Sequence, residues 1–335
     1  MATASTARPE YTVYVISGGT KYNVTPAIES IDISDQKKQI AKCVTFQMMN
    51  TKVGDKWLTG LLTVPNRVFV YANDGTKNEE VFRGFVWSRA YKSSQTDRTF
   101  QLKNYDNLIY FQESDHSAFF SSGKSTKDIS ASLCNEWGVK LEYTYESITH
   151  SKLPLRGKLA DIFTADLLDP VKDRTGKKYV MLSEKDVVQI KPVGANSTIY
   201  HFIAGKNAIQ TSSVLTMDGV VTKVIILGKA DDDDRVPVEA TVSGDTSQFG
   251  TIQETINRSE NTSLADAKKE AQSIIDEKGK PKWEFELRAT DIPWIRKGDK
   301  VYVDAGDMSG YYIVAGIERT ITGKKREMTL DLEKP

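Results

Sequence analysis

The sequence predicts a β-rich α+β protein in which two antiparallel β domains flank an inserted α+β domain. Three observations predict this class. Short β-branched and aromatic runs joined by turns fill residues 10–103, helical periodicity enters between residues 104 and 198, and further strands with one helix follow. The expected domains are residues 10–103 with 199–230 (first β domain), 104–198 (inserted domain) and 231–335 (second β domain).

The first β domain is indicated by period-two patterns and by turn residues. Apolar side chains alternate with polar ones in two segments, at Tyr11, Val13 and Val15 and at Val44, Phe46 and Met48. Such alternation is typical of half-buried strands. Residues 67–71 and 81–87 then read as a hairpin around Asn73-Asp74-Gly75, and residues 99–102 complete the sheet.

Helix signals define the inserted domain. Ser125 with Asp128 three residues later is a variant capping box, which opens a helix that Gly138 ends. A further helix places Leu159, Ile162, Phe163 and Leu167 inward and is expected to end at Pro170. A hairpin of residues 179–182 and 187–190 follows.

The last third of the sequence returns to strands. Residues 199–203 and 220–227 are predicted strands, and four aspartates at 231–234 read as a solvated linker and not as a calcium loop. A helix over 263–278 precedes strands at 283–287, 300–304, 311–317 and 328–332. The hairpin of 301–317 resembles that of 68–86, and both carry a glycine inside the second strand, where a bulge or close backbone approach is expected.

Composition narrows the possible functions. Forty-five basic and 45 acidic residues cancel, so sequence-specific nucleic-acid binding is disfavoured. The longest apolar run, 224–227, is far too short to span a membrane, and residues 1–10 lack the apolar core of a signal peptide. Two widely separated cysteines, Cys43 and Cys134, indicate folding in a reducing compartment.

No segment shows a pattern for catalysis, cofactor binding or metal binding. Gly123-Lys124-Ser125-Thr126 lacks the earlier glycine of a phosphate-binding loop, since that position is Ala118. His116, His150 and His201 stand apart without metal-ligand spacing. We therefore expect no catalytic residues, no cofactor and no metal.

The order of these segments resembles baseplate hub proteins of contractile phage tails, including the PBSX-type prophage hub and late control protein D. The resemblance lies in loose motifs that occur in the same order along most of the sequence. They are 41–46, Val81-Phe82-Arg83-Gly84-Phe85-Val86, Tyr105-Asp106-Asn107-Leu108, 125–129, Lys158-Leu159-Ala160-Asp161-Ile162, Gly176-Lys177-Lys178-Tyr179, Lys297-Gly298-Asp299-Lys300-Val301-Tyr302-Val303 and Gly310-Tyr311-Tyr312-Ile313-Val314.

The resemblance implies a non-enzymatic structural subunit with two domains similar to the tail-tube protein. Such hubs are homotrimers, so six tube-like domains match a sixfold tube on one side and a threefold central spike on the other. The implied partners are further copies of the chain, the tube protein, the spike and other baseplate proteins. The subunit would assemble in the bacterial cytoplasm and end in a released phage or bacteriocin particle.

Two alternatives remain open at this point. A cell-wall hydrolase would use a carboxylate pair that the sequence does not mark. A carbohydrate-binding module of the tail tip would instead expose aromatic side chains such as Trp87 or Trp294.

Overall fold

The computed structural model describes residues 2–3, 8–93, 98–229, 236–258 and 262–335. Its strands are β1 (Ala2–Thr3), β2 (Glu10–Ser17), β3 (Thr20–Asn23), β4 (Ile28–Asp35), β5 (Cys43–Met49), β6 (Lys52–Val53), β7 (Lys56–Trp57), β8 (Arg67–Asn73), β9 (Asn78–Ser93), β10 (Arg98–Tyr105), β11 (Asp115–Phe120), β12 (Lys140–Tyr143), β13 (Leu153–Lys158), β14 (Tyr179–Glu184), β15 (Val187–Pro192), β16 (Tyr200–Ile203), β17 (Ala208–Thr216), β18 (Lys223–Leu227), β19 (Val238–Ser243), β20 (Gln253–Asn257), β21 (Lys282–Thr290), β22 (Lys300–Ala305), β23 (Met308–Thr322) and β24 (Arg326–Glu333).

Helices are short and few beside these strands. They are α1 (Leu58–Leu61), α2 (Ile109–Glu113), α3 (Thr126–Glu136), α4 (Leu159–Asp161), α5 (Asp169–Thr175), α6 (Thr246–Phe249) and α7 (Leu264–Lys278), with a 3-10 turn at Thr25–Ala27 and a π-helical segment at Ile162–Leu168. The β-rich α+β class with antiparallel sheets is therefore confirmed.

The first β domain is a sheet in the order β4-β5-β10-β9-β8-β2-β3, with antiparallel neighbours. The alternation expected from the sequence is confirmed, because Val13, Val44, Phe46 and Met48 are fully buried in one core. Leu58 of the short helix α1 closes that core.

The second β domain is built by β22, β23, β24 and β21, with β16 alongside β22. Phe202 in β16 was expected to belong to the first β domain. It lies instead in the second core, with Val301, Val303 and Leu330, because β16 pairs in parallel with β22. The first and second β domains, the inserted domain and the N-terminal segment together form one compact unit, Met1–Ser212 with Phe285–Pro335.

The inserted domain has its own core, in which α2, α3, α4 and the π-helical segment pack against β11–β13 and β12–β15–β14. Its capping box is confirmed, because the Ser125 hydroxyl accepts a hydrogen bond from the backbone N–H of Asp128. The expected helix end at Pro170 is wrong. The helical backbone continues from the π-helical segment Ile162–Leu168 through Pro170 into α5, and it ends at left-handed Gly176.

The second compact unit is Ser213–Glu284. Here β18 pairs with β19 and β20, and α7 covers the sheet through Ala267, Ala271 and Ile275. Residues 223–227, placed by the sequence with the first β domain, contribute Val224 and Ile226 to this small core because α7 supplies their apolar cover. The aspartates at 231–234 lie outside the described residues, and the domain boundaries at 104, 199 and 231 stay a prediction.

Candidate assembly interface

The two β domains contain the same three-stranded unit, namely β8-β9-β10 in the first and β22-β23-β24 in the second. In each unit the middle strand is long, and its second half runs two pairs, a one-residue bulge and then six further pairs against the last strand. The bulged residues are Trp87 and Ala315. The paired residues on either side are Val86↔Asn104 and Ser88↔Lys103 in the first unit and Val314↔Leu332 and Gly316↔Asp331 in the second.

The first strands of the two units share a residue pattern as well. Arg67-Val68-Phe69-Val70 in β8 pairs with residues 82–85 of β9, and Lys300-Val301-Tyr302-Val303 in β22 pairs with residues 310–313 of β23. In both, the two valines are fully buried and the basic and aromatic residues point to the other face. The similarity of the two hairpins that the sequence indicates therefore extends to their pairing registers.

Gly84 and Gly316 lie at different positions of this repeat, Gly84 before the bulge of β9 and Gly316 directly after the bulge of β23. A methyl group on Gly84 would lie 2.1 Å from the carbonyl oxygen of Tyr105, so the backbones approach too closely for a side chain. Gly316 follows the bulge, and a methyl group there would lie 2.6 Å from Asp331 Oδ2. Close approach and bulge, the two roles expected of these glycines, both occur.

The two β domains of the chain join edge to edge. The second half of β23 pairs antiparallel with β4, from Ile317 opposite Asp35 to Thr322 opposite Ser30. Ile321 of this strand lies in the first core with Ile31 and Phe46, although it belongs to the second domain by sequence. The junction is therefore a continuous sheet with shared core contacts.

Buried charges lie on the inner side of this junction. Asp35 of β4 forms an ion pair with Lys297, whose Nζ is 2.8 Å from Asp35 Oδ1, and both side chains are more than 90% buried. Lys297 also donates to the carbonyl oxygens of Gln36 (3.2 Å) and Gln39 (2.7 Å). Burial alone would raise the pKa of Asp35, but Lys297 and then Lys42 bring it below its ordinary value.

A second buried pair involves β23, the strand that pairs with β4 across the junction. Arg319 Nε is 3.0 Å from Asp291 Oδ1, and the same guanidinium donates to the carbonyl oxygen of Ile295 at 2.8 Å. The Tyr11 hydroxyl of the first domain donates to the other oxygen of Asp291. Residues of both domains thus complete one hydrogen-bonded group, which fixes how the two sheets meet.

The inserted domain is held to both β domains by ion pairs from one hairpin. Glu184 accepts from Arg296 Nε at 2.7 Å, and Asp186 accepts from Arg67 at 2.6 Å and from Arg83 at 3.3 Å. Asp186 has a positive φ of 67° at the turn between β14 and β15, which points this acidic tip at the first β domain.

Asp106 links the first β domain to the inserted domain. Its carboxylate accepts from the backbone N–H of Lys42 at 3.1 Å and of Leu108 at 3.0 Å. Burial raises its pKa to about 7, against the lowering effect of Lys42. None of the buried charges described here was found from the sequence, although a signal was present. Asp35 and Arg319 occupy inward positions of apolar alternations, Ile31-x-Ile33-x-Asp35 and Ile317-x-Arg319-x-Ile321.

The aromatic residues considered for sugar binding divide into two groups. Trp294 is packed between the first and second cores, and its Nε1 donates to Asp74 Oδ2 at 2.6 Å. It is therefore a joint between the two β domains. Trp87 is 38% exposed and lies edge-on to Tyr105 and Tyr110, with ring centroids 6.1 Å apart in both cases. It begins an exposed stretch of β9 that reaches Ser93.

The segment that resembles a phosphate-binding loop and the nearby His150 both have structural roles. Gly123-Lys124-Ser125-Thr126 is the turn and cap of α3, and His150 lies 2.8 Å from the Thr126 hydroxyl. Residues 2–3, 8–93, 98–229, 236–258 and 262–335 contain no group of three or more His, Cys, Asp or Glu placed to hold a metal ion. Within the same ranges, no helix has the length and apolarity to cross a membrane.

The fold of the chain is similar to that of solved phage-tail and type VI secretion proteins. A family model described as YQBQ-like matches residues 31–333, so the chain belongs to that family. A search of curated protein sequences finds no match.

Solved structures with this fold cover almost the whole chain. The 43 kDa tail protein of prophage MuSo2 from Shewanella oneidensis matches with a TM-score of 0.70 at 15% identity, covering 97% of this chain and 99% of that one. A tail protein from Neisseria meningitidis MC58 matches with a TM-score of 0.67 at 15% identity, covering 97% and 96%. The Escherichia coli protein c3393, a type VI secretion component, matches with a TM-score of 0.58 at 10% identity, covering 96% and 76%.

Proposed function

We propose that this protein is a structural baseplate hub subunit, which joins a sixfold tail tube to a threefold central spike in a contractile injection particle. The observation that carries the proposal is the internal repeat. Two β units with the same register lie side by side in one chain, so three chains present six equivalent units. A homotrimer is thereby compatible with sixfold symmetry on one face and threefold symmetry on the other.

The comparisons support the tail setting of this role. Two of the structural relatives are described as tail proteins, and c3393 is described as similar to the tail proteins gp27 and gp5 of bacteriophage T4. We infer that the partners are further copies of this chain, a tube protein, a spike protein and other baseplate proteins. Assembly takes place in the bacterial cytoplasm, and the product is part of a released phage or bacteriocin particle.

The net charge suits such a role. Equal numbers of acidic and basic residues avoid the long-range self-repulsion that would oppose close packing of identical chains. The described ion pairs inside the chain join its domains, and no role for them in catalysis is needed.

The test is the mass of the purified full chain in solution, measured by light scattering for the chain alone and for the chain mixed with the tube and spike proteins of the same particle. A trimer, or a monomer that becomes a trimer when the spike is added, is the expected result. A protein that stays monomeric with both partners present would refute the proposal.

A further inference from the structure

We propose that neighbouring copies of the chain join through the exposed second half of β9 in one copy and β17 in the next, in an antiparallel pairing that repeats the β23–β4 junction within the chain. This rests on the proposed homotrimer and deepens it by naming the two edges. The argument uses the internal repeat, which shows what covers the equivalent edges inside one chain.

The two β domains have the same order of strands. The first runs β4-β5-β10-β9-β8-β2 and the second runs β17-β21-β24-β23-β22-β16. In this alignment β17 takes the place of β4, and β23 takes the place of β9. Inside the chain, β23 of the second domain pairs with β4 of the first. The two remaining edges belong to the second half of β9 and to β17. Within the described residues, these two strands do not pair with each other, and no other strand covers either edge.

Over its second half, the outer edge of β9 carries backbone groups that no strand in the described part of the chain pairs with. The Asn50 N–H donates to the Arg98 carbonyl oxygen, so the backbone of Arg98 faces β5 and not β9. Its partner Ser93 therefore directs its own N–H and C=O away from β10, and Tyr91 does the same two residues earlier. Strand β8 reaches only as far as Phe85, and residues 87–93 are all exposed.

The same positions of β23 are covered. Ile317, Arg319 and Ile321 correspond to Arg89, Tyr91 and Ser93 when both strands are counted from the bulge. All three β23 residues are buried, because β4 lies against that edge. An edge that is long, exposed and unprotected is a site for strand pairing with another chain.

Strand β17 offers the other edge over residues 209–212. It pairs with β21 on one side, and no strand of the described ranges pairs with its other side. Ile209 is 48% exposed there. Because β9 and β17 are different strands, their pairing is head-to-tail, which closes into a ring when each step repeats the same rotation.

The first domain fixes the register on the β4 side. Asp32 of β4 pairs with Thr45 of β5, which in turn pairs with Lys103 of β10. In the second domain Glu286 pairs with Asp331, the residue that corresponds to Lys103. Glu286 is therefore the counterpart of Thr45.

The counterpart of Asp32 then follows from one hydrogen bond. The Thr290 N–H donates to the Asn207 carbonyl oxygen. Thr290 is the last residue of β21 and Asn207 immediately precedes β17, so the two paired strands run antiparallel. Counted from that pair, Thr211 stands opposite Glu286. Thr211 therefore holds in β17 the position that Asp32 holds in β4.

The register on the β9 side follows from the bulge. Thr320 lies four residues after Gly316, and Lys92 lies four residues after Ser88, the corresponding residue beyond the bulge. Thr320 pairs with Asp32 across the junction within the chain. The repeated junction between copies consequently places Lys92 of one chain opposite Thr211 of the next.

Cysteine cross-linking tests this register. Opposite residues that are not hydrogen-bonded to each other have Cα atoms about 4.5 Å apart, within the roughly 4.4–6.8 Å span of disulfides. Chains carrying Lys92→Cys are mixed with chains carrying Thr211→Cys, oxidised, and run on non-reducing gels. The matched control is Asp32→Cys with Thr320→Cys in one chain. Oxidation should consume the two introduced thiols, and the chain should still run as a monomer on the gel.

The expected result is a covalent dimer from the mixture and a covalently closed trimer from a chain carrying both Lys92→Cys and Thr211→Cys. Each single variant alone, and the unchanged chain with its buried Cys43 and Cys134, should give no such species. A protein that is a trimer by light scattering, with a working control pair but no cross-link, would overturn this interface and leave the hub proposal standing. Covalent ladders longer than three chains would overturn ring closure, and a monomer with both partners present would overturn both proposals.

Discussion

Replacing Lys297 by methionine tests whether the buried charges hold the two β domains together. The change keeps much of the side-chain length and removes an ammonium group that lies 2.8 Å from Asp35 Oδ1. It also removes the donor to the carbonyl oxygens of Gln36 and Gln39. Lys42 Nζ remains, but at 3.9 Å from Asp35.

The magnitude follows from these distances. At an effective dielectric of about 20, an ion pair at 2.8 Å has a gross attraction of about 6 kcal/mol, against about 4 kcal/mol at 3.9 Å. Removing one partner of a buried pair costs about 3–5 kcal/mol. Because Lys42 still compensates part of the buried Asp35 charge, we expect Lys297→Met to lower the free energy of unfolding by about 3 kcal/mol.

The assay is equilibrium urea unfolding of the full chain, followed by circular dichroism, for Lys297→Met, Asp35→Asn and the double variant. We expect a coupling energy of about 2 kcal/mol between the two positions. Lys158→Met is the control, because its ion pair with Asp115 is exposed and should change stability by less than about 1 kcal/mol. A coupling energy below about 0.5 kcal/mol would refute the assignment of Lys297 as the main partner of Asp35.

The sign of the pH dependence gives a second check on the same pair. The pKa of Asp35 is lowered in the folded chain, so its contribution is present above the ordinary carboxyl pKa of about 3.9 and is lost as the pH falls through the lower folded value. The coupling measured at neutral pH should therefore shrink in strongly acidic buffer. A coupling that grew under acid would contradict the charge assignment.

Three further changes probe other parts of the same architecture. Asp106 has a raised pKa of about 7, so the folded state binds its proton more tightly than the unfolded state. Its contribution to stability should fall by up to about 4 kcal/mol between pH 4 and 7, and Asp106→Asn should flatten that part of the urea-unfolding profile. Gly84→Ala sets a methyl group 2.1 Å from the Tyr105 carbonyl oxygen and should lower the free energy of unfolding by more than about 2 kcal/mol. The control Gly323→Ala, which has open space around it, should change the free energy of unfolding little. Equal effects of the two changes would contradict the close approach at Gly84. Ser125→Ala removes the cap of α3 and should cost about 1 kcal/mol by thermal or urea unfolding, with Ser125→Asp retaining the stability.

Local structure was largely predictable because it depends on neighbouring residues. The alternation at Tyr11, Val13 and Val15 predicts β2, and Ser125 with Asp128 predicts the start of α3. Pro170 shows the limit of such rules, because the helical backbone runs through this proline to Gly176. The turn before Pro170 is π-helical, a local departure that the sequence pattern does not indicate.

Long-range pairing was not predictable from the sequence, because many strands of similar character compete for each edge. Nothing local to residues 200–203 says that β16 pairs with β22, which lies about a hundred residues later. The same holds for Ile321, whose apolar side chain belongs to the first core. The buried ion pairs depend on those long-range pairings, so the junction between the two β domains had a signal in charged inward positions but no assigned partners.

The β23–β4 junction also fixes an order of events during synthesis. Residues 28–35 leave the ribosome early, but the strand that covers their edge spans 317–322 and appears nearly three hundred residues later. The first β domain therefore keeps the β4 edge open and lacks the Ile321 side chain until almost all of the described chain has been made. Pairing between copies would use two other edges, those of β9 and β17. A chain that is still attached to its ribosome thus exposes the β4 edge in addition to these, and completing β23 leaves only the edges meant for neighbouring subunits.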